Sequence, residues 1–437
     1  MKLKPFKKEK RSNKYKLTMI ILSSLAFIFL FIAIYQSFAA YNIKHSETIV
    51  DAKVGSMYDI RILAIFIDGE PQPGMTDFPT DKDFSHVRCY VDGEYREDII
   101  GTWESDGLKI TGFTHKTDCN VYFISTPILL RDAILSAHGG ITAITAKARP
   151  NFDTISTTTG GANGGMFAEP DGMMGGTSYY FRGTHDLNNN VLFAGFQWKV
   201  IRIDGAGNIR MIYNGTEAQF NSSGATNGAT AGTNATLATG TVAFNPQTNN
   251  NSFVNYNNSP NDTTGVRGHV NAFFNSLSAT DRGKIVTTAY CNDRTSFCDA
   301  FGNTTGCGTG TLPTWYASNL RLAQVNKNPT LACPVAFRIS LGAALITADE
   351  FVFAGKRLVT ENTNSFLRNN QPYWSMSPNT FGSGSASLFR VVGNGALSAS
   401  DTNVQFLVRP VISLNPNALI PGANGGNGSA TNPYRVQ

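Results

Sequence analysis

Asp349 and Glu350, adjacent in the run ITADEFVFAG, are the one pair of carboxylates in an apolar setting. Two such groups can serve acid–base or metal chemistry. Neighbours on a helix or strand point apart, however, so a helix cap or a buried polar role is expected for them. His45, His86, His115, His138, His185 and His269 are scattered, and no H-E-x-x-H, G-x-S-x-G, phosphate-binding loop or S-x-x-K with companions stands in a fitting context. No enzyme activity, cofactor or metal site is expected. The densest mixture of recognition groups lies in residues 371–409, where Tyr373, Trp374, Asn379, Phe381, Phe389, Arg390, Asn394, Asn403 and Arg409 combine aromatic faces with amides and guanidinium groups. Stacking plus hydrogen bonding suits a sugar or a protein ligand. Binding is therefore expected at Tyr373, Trp374, Asn379, Phe389, Arg390, Asn394 and Asn403, against the alternative that Trp374, Phe389 and Arg409 are fold residues.

Six cysteines, Cys89, Cys119, Cys291, Cys298, Cys307 and Cys333, form two groups, and an even number in an exported chain reads as disulfides. Cys89 and Cys119 stand alone in the first half, placed to pin two strands together. The pairing of the other four is open. Zinc is the alternative for that group, although no C-x-x-C occurs and His269 is the nearest histidine.

What must position these residues begins with a topology signal. In 437 residues, 36 Lys and Arg against 31 Asp and Glu give a net charge of +5. Lys2, Lys4, Lys7, Lys8, Lys10, Arg11, Lys14 and Lys16, offset by Glu9 alone, contribute +7, so the rest sums to −2. Such a body lacks the basic footprint of a nucleic-acid binder. Residues 17–39 are nearly all apolar and follow this basic tail of residues 1–16. About twenty such residues span a bilayer, and the positive flank keeps the N-terminus in the cytoplasm. A single-pass cell-membrane protein with its bulk outside is expected, with a signal peptide cleaved after Ser37-Phe38-Ala39 as the alternative.

Beyond the anchor, runs such as IRILAIFI and NVYFI, separated by Asp-Gly turns, read as a β-sandwich-like stalk over residues 41–126. Residues 127–175, with the stretch TISTTTGGANGG, read as a linker. Phe193 to Ile203 and Ile209 to Tyr213 read as a hairpin inside a distal domain, residues 176–437, which carries an Asn/Thr/Gly-rich insertion near 220–265. Val266 to Leu277 has helical periodicity, with His269 beside its apolar face as a surface residue rather than a ligand.

The blocks SYYFRG, FAGFQWKVIRIDGAGNIRMIY, AYCNDRTSFC, NPTLACP, ALITADEFVFAG, PYWSMSPNTF and VRPVISLNPNALI occur in this order. In them the chain resembles largely uncharacterised exported surface proteins of low-GC Gram-positive bacteria and their wall-less relatives. The segment CYVDGEYREDIIGTWESDGLKITGFTHKTDCNVYF resembles the disulfide-bearing β module of those proteins. The W-S-x-S-P block at Trp374 to Pro378 and the closing V-R-P-V-x-L strand resemble C-type-lectin-like and formylglycine-generating-enzyme-like domains. The resemblance implies an α+β class overall: an N-terminal transmembrane helix, a small β-sandwich stalk and a distal C-type-lectin-like α+β domain. Calcium-dependent sugar binding is not implied, because Gln371-Pro372-Tyr373 has an aromatic where a third ligand belongs. Formylglycine chemistry is not implied either, since no cysteine follows Cys333. The function expected is a membrane-anchored bacterial cell-surface binding or adhesion protein for a glycan or protein ligand. The alternatives are a self-associating envelope or filament subunit, and a receptor with a diversified C-terminal region.

Overall fold

A computed structural model describes residues 60–80, 82–105, 107–113, 116–216, 241–244, 265–305, 314–324, 328–382, 385–422 and 425–437. The chain divides into two units, Met1–Thr126 and Pro127–Gln437.

In the first unit, β1 (Ile60–Ile67), β2 (Glu70–Pro71), β3 (Lys82–Val91), β4 (Glu94–Arg96) and β7 (Thr117–Ser125) form a sheet in the order β2-β1-β7-β3-β4. A hairpin of β5 (Ile100–Glu104) and β6 (Gly107–Thr111) completes the unit. Two-residue Asp-Gly turns join β1 to β2 and β3 to β4, and all four residues have positive φ: Asp68 51°, Gly69 85°, Asp92 51° and Gly93 86°. That geometry matches the twist of the strands it links, which is why Asp-Gly marks such turns. Alternation along β7 buries Thr117, Cys119, Val121, Phe123 and Ser125. Cys89 and Cys119 are direct register partners on β3 and β7, and they form a disulfide. β1 runs parallel to β7, from Ile60 opposite Thr117 to Ile67 opposite Phe123.

The second unit holds two larger sheets around one core. The first has the order β19-β24-β13-β12-β10-β9, from Ala343–Ala344, Val411–Leu414, Ile209–Tyr213, Phe196–Ile203, Thr177–Arg182 and Gly165–Pro170. On it, β11 (Asn190–Phe193) joins β12 and β26 (Tyr434–Arg435). The second has the order β16-β17-β20-β21-β22, from Ser296–Phe297, Thr314–Tyr316, Tyr373–Gly382, Ser385–Val391 and Leu397–Asp401. Smaller pairs are β8 (Pro127–Leu129) with β25 (Leu419–Pro421), β14 (Val242–Ala243) with β23 (Gln405–Phe406), and β15 (Thr288–Cys291) with β18 (Arg338–Leu341). Trp198, Trp374, Tyr180, Tyr290, Tyr373 and Phe389 are buried in the shared core.

The α+β class gives way to a β-rich fold, 42% strand and 16% helix among the described residues, because apolar residues alternate with period two and the helical runs stay short. Among the described residues the longest helix, Val266–Ser276, has 11 residues, and none is long and apolar enough to cross a membrane. The tail and transmembrane segment expected at residues 1–39 lie outside the described residues.

Residues 127–175 are packed structure rather than a linker. The helix Leu130–Ala137 buries Leu130, Ile134 and Leu135, and Ile144 and Phe152 join the same core. Polar anchors hold the Thr- and Gly-rich stretch, which has few apolar side chains to bury. Arg182 donates to the carbonyls of Asn151, Thr154 and Val352, and Ser156 N–H donates to Gly355, whose φ of 97° and contact with Ser156 leave no room for a Cβ. In the expected insertion, residues 217–240 and 245–264 lie outside the described residues, whereas Val242 and Phe244 are buried in the core.

Candidate functional site

Asp349 and Glu350 begin the helix Ala348–Phe353. Thr347 caps it: its hydroxyl accepts from Glu350 N–H, while the Glu350 carboxylate accepts from Thr347 N–H at 3.0 Å. Glu350 also meets Arg202 Nε at 3.1 Å and Arg210 Nη2 at 3.3 Å. Arg202 reaches on to Asp171 at 3.0 Å. Asp349 takes two bonds from Arg321, at 3.1 and 2.9 Å, and one from Thr330 N–H; Arg321 bonds Asp293 as well. Burial alone would raise the pKa of Glu350, but Arg210 and Arg202 hold it below the ordinary carboxylate value. Asp171 is kept low in the same way against its own burial, chiefly by Arg202.

Glu350 and Asp171, so paired, stay ionised and have no proton to give at neutral pH. The cavity beside them, lined by Asp293, Arg321, Thr330, Asp349 and Glu350 among others, has about 20 Å³, room for a single water molecule. This arrangement joins strands β12 and β13 to the helix Ala348–Phe353 and the segment around Thr330. Among the described residues no group of three His, Cys, Asp or Glu is placed to hold a metal ion. Cys291 and Cys333 form a disulfide and Cys298 is also disulfide-bonded, which removes them as zinc ligands; Cys307 lies outside the described residues.

The residues expected to bind ligand do not meet. Tyr373, Trp374 and Phe389 are fully buried and are corrected to core residues. The Tyr373 hydroxyl donates to Leu367 O at 2.6 Å, and the Trp374 indole N–H to Val242 O at 2.8 Å. Arg409, also buried, donates to Tyr213 O, Leu367 O and Asn214 Oδ1. Arg390 is half-buried, its guanidinium 4.4 Å from the Phe406 ring centroid. Asn394 shapes the turn between β21 and β22, accepting from Ala396 N–H and donating to Glu361. Asn403 is exposed beyond β22. Asn379 alone of the expected set faces the row described next.

Direct register partners run in a line across all five strands of the second sheet: Phe297 opposite Trp315, Trp315 opposite Thr380, Thr380 opposite Ser387, and Ser387 opposite Asp401. Such partners project from the same face. The Thr380 and Ser387 hydroxyls are 2.9 Å apart. A register shift between Pro378 and Thr380 brings Asn379 to the same face, where its Nδ2 donates to Ser387 Oγ at 2.9 Å. Asn319 Nδ2 donates to Asn379 Oδ1. Farther along β21 this face carries Phe389 and Val391 into the core; Ser387 is still buried, Thr380 is half-buried and Asp401 is exposed.

Trp315 and Phe297 are half-buried and belong to neither hydrophobic core. Among the described residues no ring contact, ion pair or side-chain hydrogen bond engages the Trp315 indole. In contrast, the indoles of Trp198 and Trp374 are buried with their N–H groups bonded. Sequence reasoning missed Trp315 and Phe297 because their strands are three and two residues long, too short to show alternation. In comparisons with known proteins, no family model, curated protein or solved structure matches the chain.

Proposed function

We propose that this chain is an exported binding or adhesion protein of a bacterial cell surface, in keeping with the surface proteins its sequence blocks resemble. The observation that supports this most directly is the cross-strand row Phe297, Trp315, Thr380, Ser387 and Asp401. Its indole has no partner among the described residues, and the strands beneath are fixed by a packed core. Rigid aromatics beside amide and hydroxyl groups bind with little loss of side-chain entropy. Disulfides in both units accord with an oxidising compartment. Catalysis is no part of this reading, because the paired carboxylates are each tied to a guanidinium.

The test is to screen the intact chain against glycan and protein arrays beside Trp315→Ala and Asn379→Ala. Binding that falls in both variants supports the row as the recognition surface. Binding undiminished in both removes it.

A further inference from the structure

We infer that the row takes an uncharged, hydroxyl-rich glycan and binds it without a metal ion, an inference that rests on the row being the recognition surface. Four strand spacings of about 4.8 Å make it about 19 Å long, a length suited to a short oligosaccharide rather than to one small molecule. Its two halves differ in chemistry. On the β16–β17 side, Phe297 and Trp315 are register partners, and they offer apolar faces to the C–H face of a sugar ring, together with an indole N–H that has no partner among the described residues. On the β20–β22 side are the half-buried Thr380 hydroxyl and Asn379 amide, both bonded to the buried Ser387 hydroxyl, and the exposed Asp401 carboxylate. An ionised carboxylate only accepts, and it has room for two hydroxyl donors at once.

One more acceptor stands nearby. Asn319 is 5% exposed, gives its amide N–H to Asn379, and keeps an amide oxygen with no partner among the described residues. A hydroxyl donor supplied by a ligand would complete it. Charge narrows the class further. Asp401 is the row's only charged group, so an acidic glycan meets a like charge with no cation on the row to offset it, and a basic peptide finds a single counter-charge. One carboxylate is also far from the six to eight oxygens that calcium requires.

The experiment measures binding of the intact chain to immobilised neutral and acidic oligosaccharides, with and without EDTA, beside a panel of basic peptides and surface proteins. Neutral glycans are expected to bind equally well in EDTA. Trp315→Ala is expected to weaken them about tenfold or more and Trp315→Phe much less, a stacking loss of the size that one aromatic contact supplies. Asp401→Asn, at an exposed position, is expected to weaken them without altering the melting temperature, which separates loss of contact from loss of fold. Three results would overturn the ligand class: no glycan bound, acidic glycans preferred, or binding abolished by EDTA. If a peptide or protein binds instead and Trp315→Ala abolishes that binding, the glycan assignment falls while the row stands. If neutral glycans bind Trp315→Ala and Asp401→Asn as well as the intact chain, the row itself falls.

Discussion

Arg202 and Arg210 are direct register partners on β12 and β13, a like-charged pair that would repel were Glu350 not bonded to both. Removing one member of a buried ion network leaves the others uncompensated. Glu350→Gln is therefore expected to cost the second unit about 3–5 kcal/mol, read by urea denaturation. The pH dependence follows from the same contacts. Glu350 and Asp171 have folded pKa values below their ordinary 4.5 and 3.8. The stability they contribute is complete above those ordinary values and is lost as pH falls through the lower, folded ones. Melting temperatures between pH 7 and pH 3 are expected to fall below about pH 4.5, and less steeply in Glu350→Gln. A profile identical in both proteins would remove Glu350 from the account. The sequence marks Asp349 and Glu350 as unusual, but it cannot show their partners, because Arg202 and Arg210 lie some 140 residues upstream.

Among the elements, strands with one covered face are the legible ones: β7 alternates and β12 with β13 forms the expected antiparallel pair. β20 misleads, because its first six residues are buried regardless of parity. Tyr373 on one side lies over Arg409, while Trp374 on the other bonds Val242 of β14 and packs on Phe406 of β23. Aromatic density at that point marks a sheet covered on both faces, which sequence alone does not distinguish from a display surface. The loop near Thr330 depends on covalent restraint. Cys291–Cys333 closes a separation of 42 residues, for which chain entropy gives about 4 kcal/mol. Replacing both cysteines by alanine is expected to lower unfolding free energy by about that amount in denaturant titrations. A change within error would show that the Arg321–Asp349 contact and the β15–β18 pairing suffice alone.

At the scale of the whole molecule, each unit owns a separate hydrophobic core. Calorimetry of the intact chain is expected to show two unfolding transitions, and Cys89→Ala with Cys119→Ala should shift only one of them. A single transition that moves as a whole would tell against separate cores. The Asp-Gly turns and alternation make the individual strands of the first unit readable, but not their arrangement, which is one five-stranded sheet with a hairpin rather than the expected sandwich; residues 127–175 hide their membership because carbonyl groups and a distant Arg182 hold them in place. One feature of the first unit bears on mechanical load. β1 enters the unit and β7 leaves it as parallel neighbours, so tension on the two chain ends acts along the strands and loads their hydrogen bonds together in shear. Unzipping one bond at a time is not the route such a pull takes. If β1 slides free, the Cys89–Cys119 bond still withholds a loop of 30 residues, about 100 Å of contour, from extension. A protein that grips a surface under flow would gain from this, because the bond holds back nearly half of the contour that the strands from Ile60 to Ser125 could otherwise release.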